Sequence, residues 1–275
     1  MSVAMAPFAL LEARAAPVPL VVSIPHTGTW LPRELADRLA SPQMLEQPMT
    51  DWHLHLLYDF LPRLGVTVLH ATVSRFAADL NRSPRGTALY PGRFETTLVP
   101  TETFSGEPIW RHPPEPAEIE TLRLRYHAPY HDALAGLLEA CIAQFGRCYL
   151  IDCHSVASGA NRLHGALAND IYLGNRDGAT CDRALLEFVA GEFERVGCKV
   201  SRNDPYKGGF ITEHYGRREN VEALQIEMCQ RLYMDETAPP ADAPLQPRFA
   251  AMRELLYGLF ERIVGAVAER DWHCG

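Results

Sequence analysis

Along this chain, short apolar runs of strand length alternate with longer stretches in which apolar residues recur at helical spacing. That alternation restricts the fold more than any other feature. Pro19–Ile24, Gly65–Val73, Cys148–Asp152, Asp170–Gly174, Cys198–Ser201 and Glu222–Met228 have the length and the apolar or β-branched character of strands. Between them, Leu31–Leu39 behind Pro32, Asp51–Leu61 behind Thr50 as N-cap, Glu115–Phe145 with an interruption near Pro129, Thr180–Val196 and Arg248–Ala268 read as helices. Strands separated by crossover helices predict an α/β fold with a mostly parallel, mixed sheet covered by helices on both faces. No internal repeat interrupts the pattern, and Ala238–Pro247, with four prolines, reads as a surface excursion before the last helix. A single domain over residues 1–275 is therefore expected.

A chain of 275 residues that is 47% hydrophobic has enough apolar surface for a core without help from disulfides. Its 26 Lys and Arg against 34 Asp and Glu give a net charge of -8, spread without long runs of one sign, which excludes an electrostatic footprint for nucleic acid or an anionic membrane. The seven cysteines (Cys141, Cys148, Cys153, Cys181, Cys198, Cys229, Cys274) are odd in number and form no Cys-x-x-Cys pair, as expected of reduced thiols in a cytoplasm. Met1–Pro19 lacks a basic start followed by an apolar block, and no run approaches the roughly 20 apolar residues that span a bilayer, so neither export nor insertion is expected.

Ligands of α/β sheets bind at the carboxyl ends of strands. Two strands here end in an imidazole: Ser23-Ile-Pro-His26-Thr-Gly and Leu150-Ile-Asp152-Cys-His154-Ser. One such histidine taken alone is more often a hydrogen-bonded structural residue, but two in matching contexts favour a metal. A catalytic zinc takes three protein ligands and keeps one position open. Asp51 is the third ligand we choose, because it opens a helix that begins soon after the first strand; Glu34 is the competing acid. Asp152 lies two residues before His154, on the same strand face, where it would orient that imidazole. His53, His55 and His70 carry surface or packing roles in this reading.

Behind the next strand, Ser74-Arg75-Phe-Ala-Ala-Asp79-Leu-Asn81-Arg82 sets two guanidiniums beside an amide and a carboxylate. Such chemistry grips a small acidic substrate, or equally pins the long Pro-, Gly- and Thr-rich loop of residues 76–114 by pairing Arg75 and Arg82 with Asp79. Asn203-Asp-Pro-Tyr206-Lys-Gly-Gly is a turn cluster whose glycines permit close backbone approach. In Leu224-Gln225-Ile-Glu227-Met228 a carboxylate stands among strand residues, where desolvation raises its pKa, and Glu227 is the best general-base candidate.

Pro-His26-Thr-Gly, Thr-Asp51-Trp, Asp79-Leu-Asn-Arg82, Asp152-Cys-His154-Ser, Asn203-Asp-Pro-Tyr-Lys-Gly-Gly and Gln225-Ile-Glu227, taken in order, resemble the N-formylglutamate amidohydrolase family. The resemblance implies hydrolysis of N-formyl-L-glutamate to formate and L-glutamate in histidine degradation, with one divalent metal such as zinc per chain and a small acidic N-formyl amino acid as partner. It also implies a distant kinship with zinc carboxypeptidases and aspartoacylase-type deacylases, and so a fold of the phosphorylase/hydrolase-like kind. Carried over, it suggests His26 and His154 as metal ligands, Asn81 and Arg82 as carboxylate binders and Glu227 as base. Arg75 would meet one carboxylate and Tyr206 would stand near the scissile amide. Those relatives carry a glutamate three residues after the first histidine; Thr29 stands there in this chain, and Asp51 takes the third ligand position by inference.

Two other readings stay open on the sequence: a hydrolase of another N-acyl amino acid, and a non-catalytic binder of an acidic metabolite. A Cys153 nucleophile beside His154 is disfavoured, because neighbours on a strand point to opposite faces.

Overall fold

The computed structural model describes residues 5–87, 92 and 94–272. Cys274 and positions 88–91 and 93 of the 76–114 loop lie outside them. Among the described residues, the strands β1 (Phe8–Leu11), β2 (Leu20–Ile24), β3 (Thr67–Ala71), β4 (Cys148–Val156), β5 (Ile171–Gly174), β6 (Val200–Arg202) and β7 (Val221–Cys229) form one sheet in the order β1-β3-β2-β4-β7-β5-β6. The pairs β3/β2, β2/β4, β4/β7 and β5/β6 are parallel, whereas β1/β3 and β7/β5 are antiparallel. The sheet is thus mixed and mostly parallel, as the alternation of patterns predicts.

Period-two geometry sorts the strand residues between two apolar layers. Leu20, Val22 and Ile24 of β2, Tyr149, Ile151 and Cys153 of β4, and Leu224, Ile226 and Met228 of β7 pack on one face, under α2 (Leu54–Leu57), α5 (Arg183–Arg195) and α7 (Pro247–Glu269). Val21, Cys148, Leu150, Val221 and Ala223 pack on the other, under α4 (Ala128–Phe145) and α6 (Phe210–Gly216). In α4 the buried stripe is Tyr130, Leu134, Leu138 and Cys141, at helical spacing. The interruption expected near Pro129 is a π turn, Arg123–His127, between α3 (Pro116–Leu122) and α4. Proline cannot donate its missing N–H to the ladder, and the wider turn absorbs the loss.

Three local expectations are corrected. Thr50 does not cap a helix that contains Asp51: α2 spans Leu54–Leu57 and the residue before it is His53, with φ 57°. Asp51 spends its carboxylate on the Ser155 N–H and on His154 instead, so that it cannot serve a helix. Strand β1 has no pattern of its own in the sequence, because four half-exposed residues with no alternation acquire strand character only by pairing with β3. And β4 does not stop at Asp152 but continues to Val156, since β7 pairs with it through Val156 opposite Cys229. The residues after β3 are more ordered than a flexible loop: Phe76, Ala77, Val99, Ile109 and Trp110 are buried in a third cluster with Leu35, Met44 and Tyr126.

The first histidine motif ends in Gly28 for a steric reason. Past β2 the chain runs against the end of β3, where the Trp30 N–H donates to the Thr72 carbonyl (3.1 Å) and the Ser74 N–H to the Trp30 carbonyl (2.8 Å). A Cβ on Gly28 would stand 2.4 Å from the Val73 carbonyl oxygen, backbone that cannot rotate away. Gly28→Ala is expected to cost about 1–3 kcal/mol and lower the melting temperature by several degrees. Gly136, on the open face of α4, has nothing within 4 Å of a Cβ. There Gly136→Ala is expected to gain roughly 0.5–1 kcal/mol of helix propensity and raise it. Thermal melts of the two variants beside the parent chain check both signs.

Candidate active site

On β4, Cys148 and Leu150 face the α4 layer, so Asp152 and His154 continue on that face; on β7, Val221 and Ala223 are followed likewise by Gln225 and Glu227. The register sets Asp152 opposite Gln225 and His154 opposite Glu227. Four polar side chains therefore share one patch at the carboxyl ends of two central strands. Cys153 points the other way, into the α2, α5 and α7 layer, where burial pushes its thiol well up. It is no partner for His154.

His26 lies just past β2, as expected, while His154 is within β4 rather than beyond it. Their rings meet at 4.9 Å between centroids, with Nδ1 to Nδ1 at 3.1 Å. Asp51 completes the group: its Oδ2 is 3.1 Å from His154 Nδ1 and 3.7 Å from His26 Nδ1. It is held there by its own N–H, which donates to the His26 carbonyl (3.1 Å), and by the Ser155 N–H on its carboxylate (3.1 Å). The competing acid, Glu34, is exposed and pairs with Arg125 at 3.6 Å.

Each imidazole has a buried acid on its far nitrogen. His154 Nε2 is 2.9 Å from Asp152 Oδ2, and His26 Nε2 is 2.7 Å from Asp79 Oδ1. A carboxylate on Nε2 selects the tautomer that donates there and turns the Nδ1 lone pair inward. Two lone pairs and a carboxylate oxygen then face one another across edges of 3.1, 3.1 and 3.7 Å. Four ligands at the usual 2.0–2.1 Å around zinc sit about 3.3 Å apart, so the donor set and its spacing fit a divalent metal with a fourth position open. The acids around the group stabilise positive charge there, whether a proton on His154 or a metal cation that displaces it. Burial works against charge on His154, yet Asp152 and Asp51 outweigh it and hold the imidazole well above its ordinary pKa. Burial opposes ionisation of Asp51 as well, but His154 and His26 push its carboxyl far below the usual range. The pocket draws positive charge. Among the described residues, His26, Asp51 and His154 form the one cluster with metal-ligand spacing, all three buried.

A cavity of about 360 Å³ opens over this group, and it is lined by all eight residues singled out in the sequence: His26, Asp51, Arg75, Asn81, Arg82, His154, Tyr206 and Glu227. Glu227 is buried, which raises its carboxyl to about 8; His154 pulls it down and Asp51 pushes it up. Gln225 holds it, donating to Glu227 Oε2 at 3.3 Å while accepting the Gly209 N–H at 2.7 Å. Arg75 donates to the Met49 carbonyl (2.9 Å), stands 3.4 Å from Asp79 and brings one guanidinium nitrogen within 2.6 and 2.8 Å of the two ring nitrogens of His26. Arg82 donates to the carbonyls of Thr96 (2.9 Å) and Asn81 (3.0 Å). The Asn81 amide accepts the Ile211 N–H (2.8 Å), and its nitrogen stands 3.0 Å from His154 Nε2 and 3.4 Å from Asp152 Oδ2. Tyr206 presents a phenol oxygen with no hydrogen-bond partner.

Glycines let the Tyr206 loop close on the frame of the site: a Cβ on Gly209 would overlap the Asn81 amide, and one on Gly174, at the end of β5, would overlap the backbone of Lys207 and Gly208. His53, His55 and His70 stay outside the cavity. His55 accepts or donates a 2.8 Å bond with Thr27 Oγ1 and stacks on His70 at 5.2 Å, and His53 contacts the Pro240 carbonyl.

Three participants escaped the sequence. Asp79 reads as part of an arginine clamp, and the 53 positions between it and His26 offer no spacing signal. Gln225 had one: it precedes Glu227 by two on the same strand face. Arg162, in the segment after β4, also lines the cavity, and nothing in its neighbourhood of the sequence marks it.

The model of the N-formylglutamate amidohydrolase family matches residues 18–234. N-formylglutamate deformylases of Pseudomonas putida and Pseudomonas aeruginosa are 37% and 41% identical over 248 and 254 residues, and each alignment spans 88% of this chain and 92% of the relative. The crystal structure of N-formylglutamate amidohydrolase from Ralstonia eutropha JMP134 superposes with a TM-score of 0.80 at 29% identity, covering 96% of this chain and 99% of that one. A gene product of Agrobacterium tumefaciens, at 18% identity, shares the fold with a TM-score of 0.71 over 95% and 94% of the two chains. With a family model matched over most of its length and relatives of this identity along nearly all of it, the chain belongs to the N-formylglutamate amidohydrolase family.

Proposed function

We propose that this chain is a metal-dependent amidohydrolase that cleaves N-formyl-L-glutamate to formate and L-glutamate, the reaction named for its Pseudomonas relatives. The observation that carries the reading is the triangle of His26, Asp51 and His154 facing Glu227 across one sheet-end cavity. A binding protein has no use for three buried acceptors held at contact distance, each imidazole backed by its own acid.

In this reading His26, Asp51 and His154 hold one divalent ion, zinc in the first instance. When bound, it supplies Lewis acidity toward the formyl carbonyl and lowers the pKa of water. Asp79 and Asp152 keep the two imidazoles in the tautomer that leaves Nδ1 free to coordinate. Glu227, in a dry pocket and steadied by Gln225, takes the proton of the attacking water and passes it to the leaving amine nitrogen. Tyr206 donates its unpartnered phenol hydrogen toward the scissile amide. Arg82, with the neighbouring Asn81 amide, binds the carboxylate next to the amide, and Arg75 adds positive charge at the triangle. The same reading places the reaction in histidine degradation and the enzyme in the cytoplasm. Among the described residues no helix is long and apolar enough to cross a membrane.

Three outcomes are expected. Elemental analysis of the purified chain finds one divalent metal per chain; chelation abolishes formate release and zinc restores it, and Asp51→Ala loses both the metal and the activity. A chain that releases formate at the full rate with no metal would sink the metal reading. Glu227→Gln keeps its fold and its metal while kcat falls by roughly 100- to 10,000-fold, the usual worth of a general base; full activity in that variant removes Glu227 from the role. In the parent chain, N-formylglutamate releases formate with a higher kcat/KM than N-formylaspartate, and N-acetylglutamate is cleaved more slowly than either. The reverse order would assign the site to another N-acyl amino acid.

A further inference from the structure

Among the described residues, three guanidiniums line the cavity, and they stand at different depths. Arg75 lies at the bottom with 7% of its side chain exposed, bound to His26 and close to Asp79. Arg82 is fixed by two backbone carbonyls beside Asn81. Arg162 retains 45% side-chain exposure, at the mouth. Its segment is stapled to the opposite wall, where the Arg162 N–H donates to the Phe104 carbonyl at 2.9 Å. The guanidinium lies 4.0 Å above the Phe94 ring and gives Nη1 to Glu102 at 2.5 Å. A guanidinium carries five N–H donors, and Glu102 takes one of them. Stacking on a ring orients the plane and leaves its edges for a second acceptor.

The proposed substrate carries two carboxylates. One is attached to the carbon that bears the amide, and so stays within reach of the groups around Asn81 and Arg82. The other ends the side chain, two carbons farther from the reacting amide than the first. A molecule that puts its formyl group at the triangle of His26, Asp51 and His154 directs that second carboxylate outward, and Arg162 is the cation waiting at the mouth. We propose that Arg162 binds the side-chain carboxylate and so sets the preference for an acidic over a neutral N-formyl amino acid. This rests on the deformylase reading of the cavity for the direction in which substrate lies.

The test compares N-formyl-L-glutamate with N-formyl-L-glutamine, which has the same shape and no second charge, in the metal-loaded chain. Arg162→Ala is expected to raise KM for N-formylglutamate roughly 10- to 100-fold with kcat within about threefold, the loss of one charge-assisted contact. KM for N-formylglutamine stays where it was, and Arg162→Lys recovers part of the loss. A binding measurement independent of turnover accompanies it: calorimetry shows glutarate binding weakened by a similar factor in Arg162→Ala and butyrate binding unchanged. Equal KM increases for both substrates, or no change for either, would overturn the assignment. If the parent chain binds glutarate through Arg162 yet releases no formate, the carboxylate site stands and the deformylase reading falls.

Discussion

The parallel pairing of β4 with β7 is the interaction on which the rest of the site depends. It runs unbroken from Cys148 opposite Val221 to Val156 opposite Cys229, in the middle of the sheet. Because side chains alternate between faces, that register sets His154 beside Glu227 and Asp152 beside Gln225, and it keeps Cys153 and Ile226 in the apolar layer below. A slip of one residue would drive either Asp152 and His154 or Gln225 and Glu227 into that layer, a cost no local hydrogen bond could offset. The strands are apolar where helices cover them and polar where the cover ends, so the same alternation that builds the core builds the active face.

Buried charge is the second constraint. Asp51, Asp79, Asp152 and Glu227 are all buried around one cavity, and removing that many acids from water is expensive unless each is paired. The fold distributes the compensation. Asp152 takes Ser23 and His154, Asp79 takes His26 and the N–H of Asn81, and Asp51 takes Ser155 and both imidazoles. Burial alone would raise the carboxyl of Asp79, yet Arg75 and Arg82 hold it far below the ordinary value. Glu227, with a weak amide contact and a negative neighbour, is left raised. Asp79, which orients His26, is thereby kept charged, and the acid suited to proton traffic is the one whose environment raises it toward neutrality.

Segments with no regular structure complete the site, and they do so through close backbone contacts. Gly28 lets the chain after β2 press against the end of β3, and Gly209 lets the loop before α6 close on the Asn81 amide. Residues 94–104 reach the cavity through Phe94 and Phe104, anchored by a buried cluster around Trp110. Over residues 94–110, what reads as a featureless loop is therefore a wall, held by burial rather than by secondary structure.

Strand and helix periods, and with them the layered mixed sheet, were legible in the sequence because they follow from local alternation of apolar residues. So were His26, His154 and Glu227, each conspicuous as a polar residue at or within an apolar run. The Asp152 contact to His154 was legible too, since two residues on one strand share a face whatever the rest of the chain does. Asp51 could be chosen from its motif, though not for the right local reason: it is no helix opener but a loop acid tied to His26 and Ser155. Asp79 on His26, Arg162 at the mouth and the antiparallel entry of β1 and β5 had no such signal. Those contacts join residues tens of positions apart, and their geometry exists only after strand order and register have been chosen. Chemistry that repeats within a few residues is written in the sequence; chemistry that needs two distant segments at hydrogen-bond distance is decided by the packed sheet.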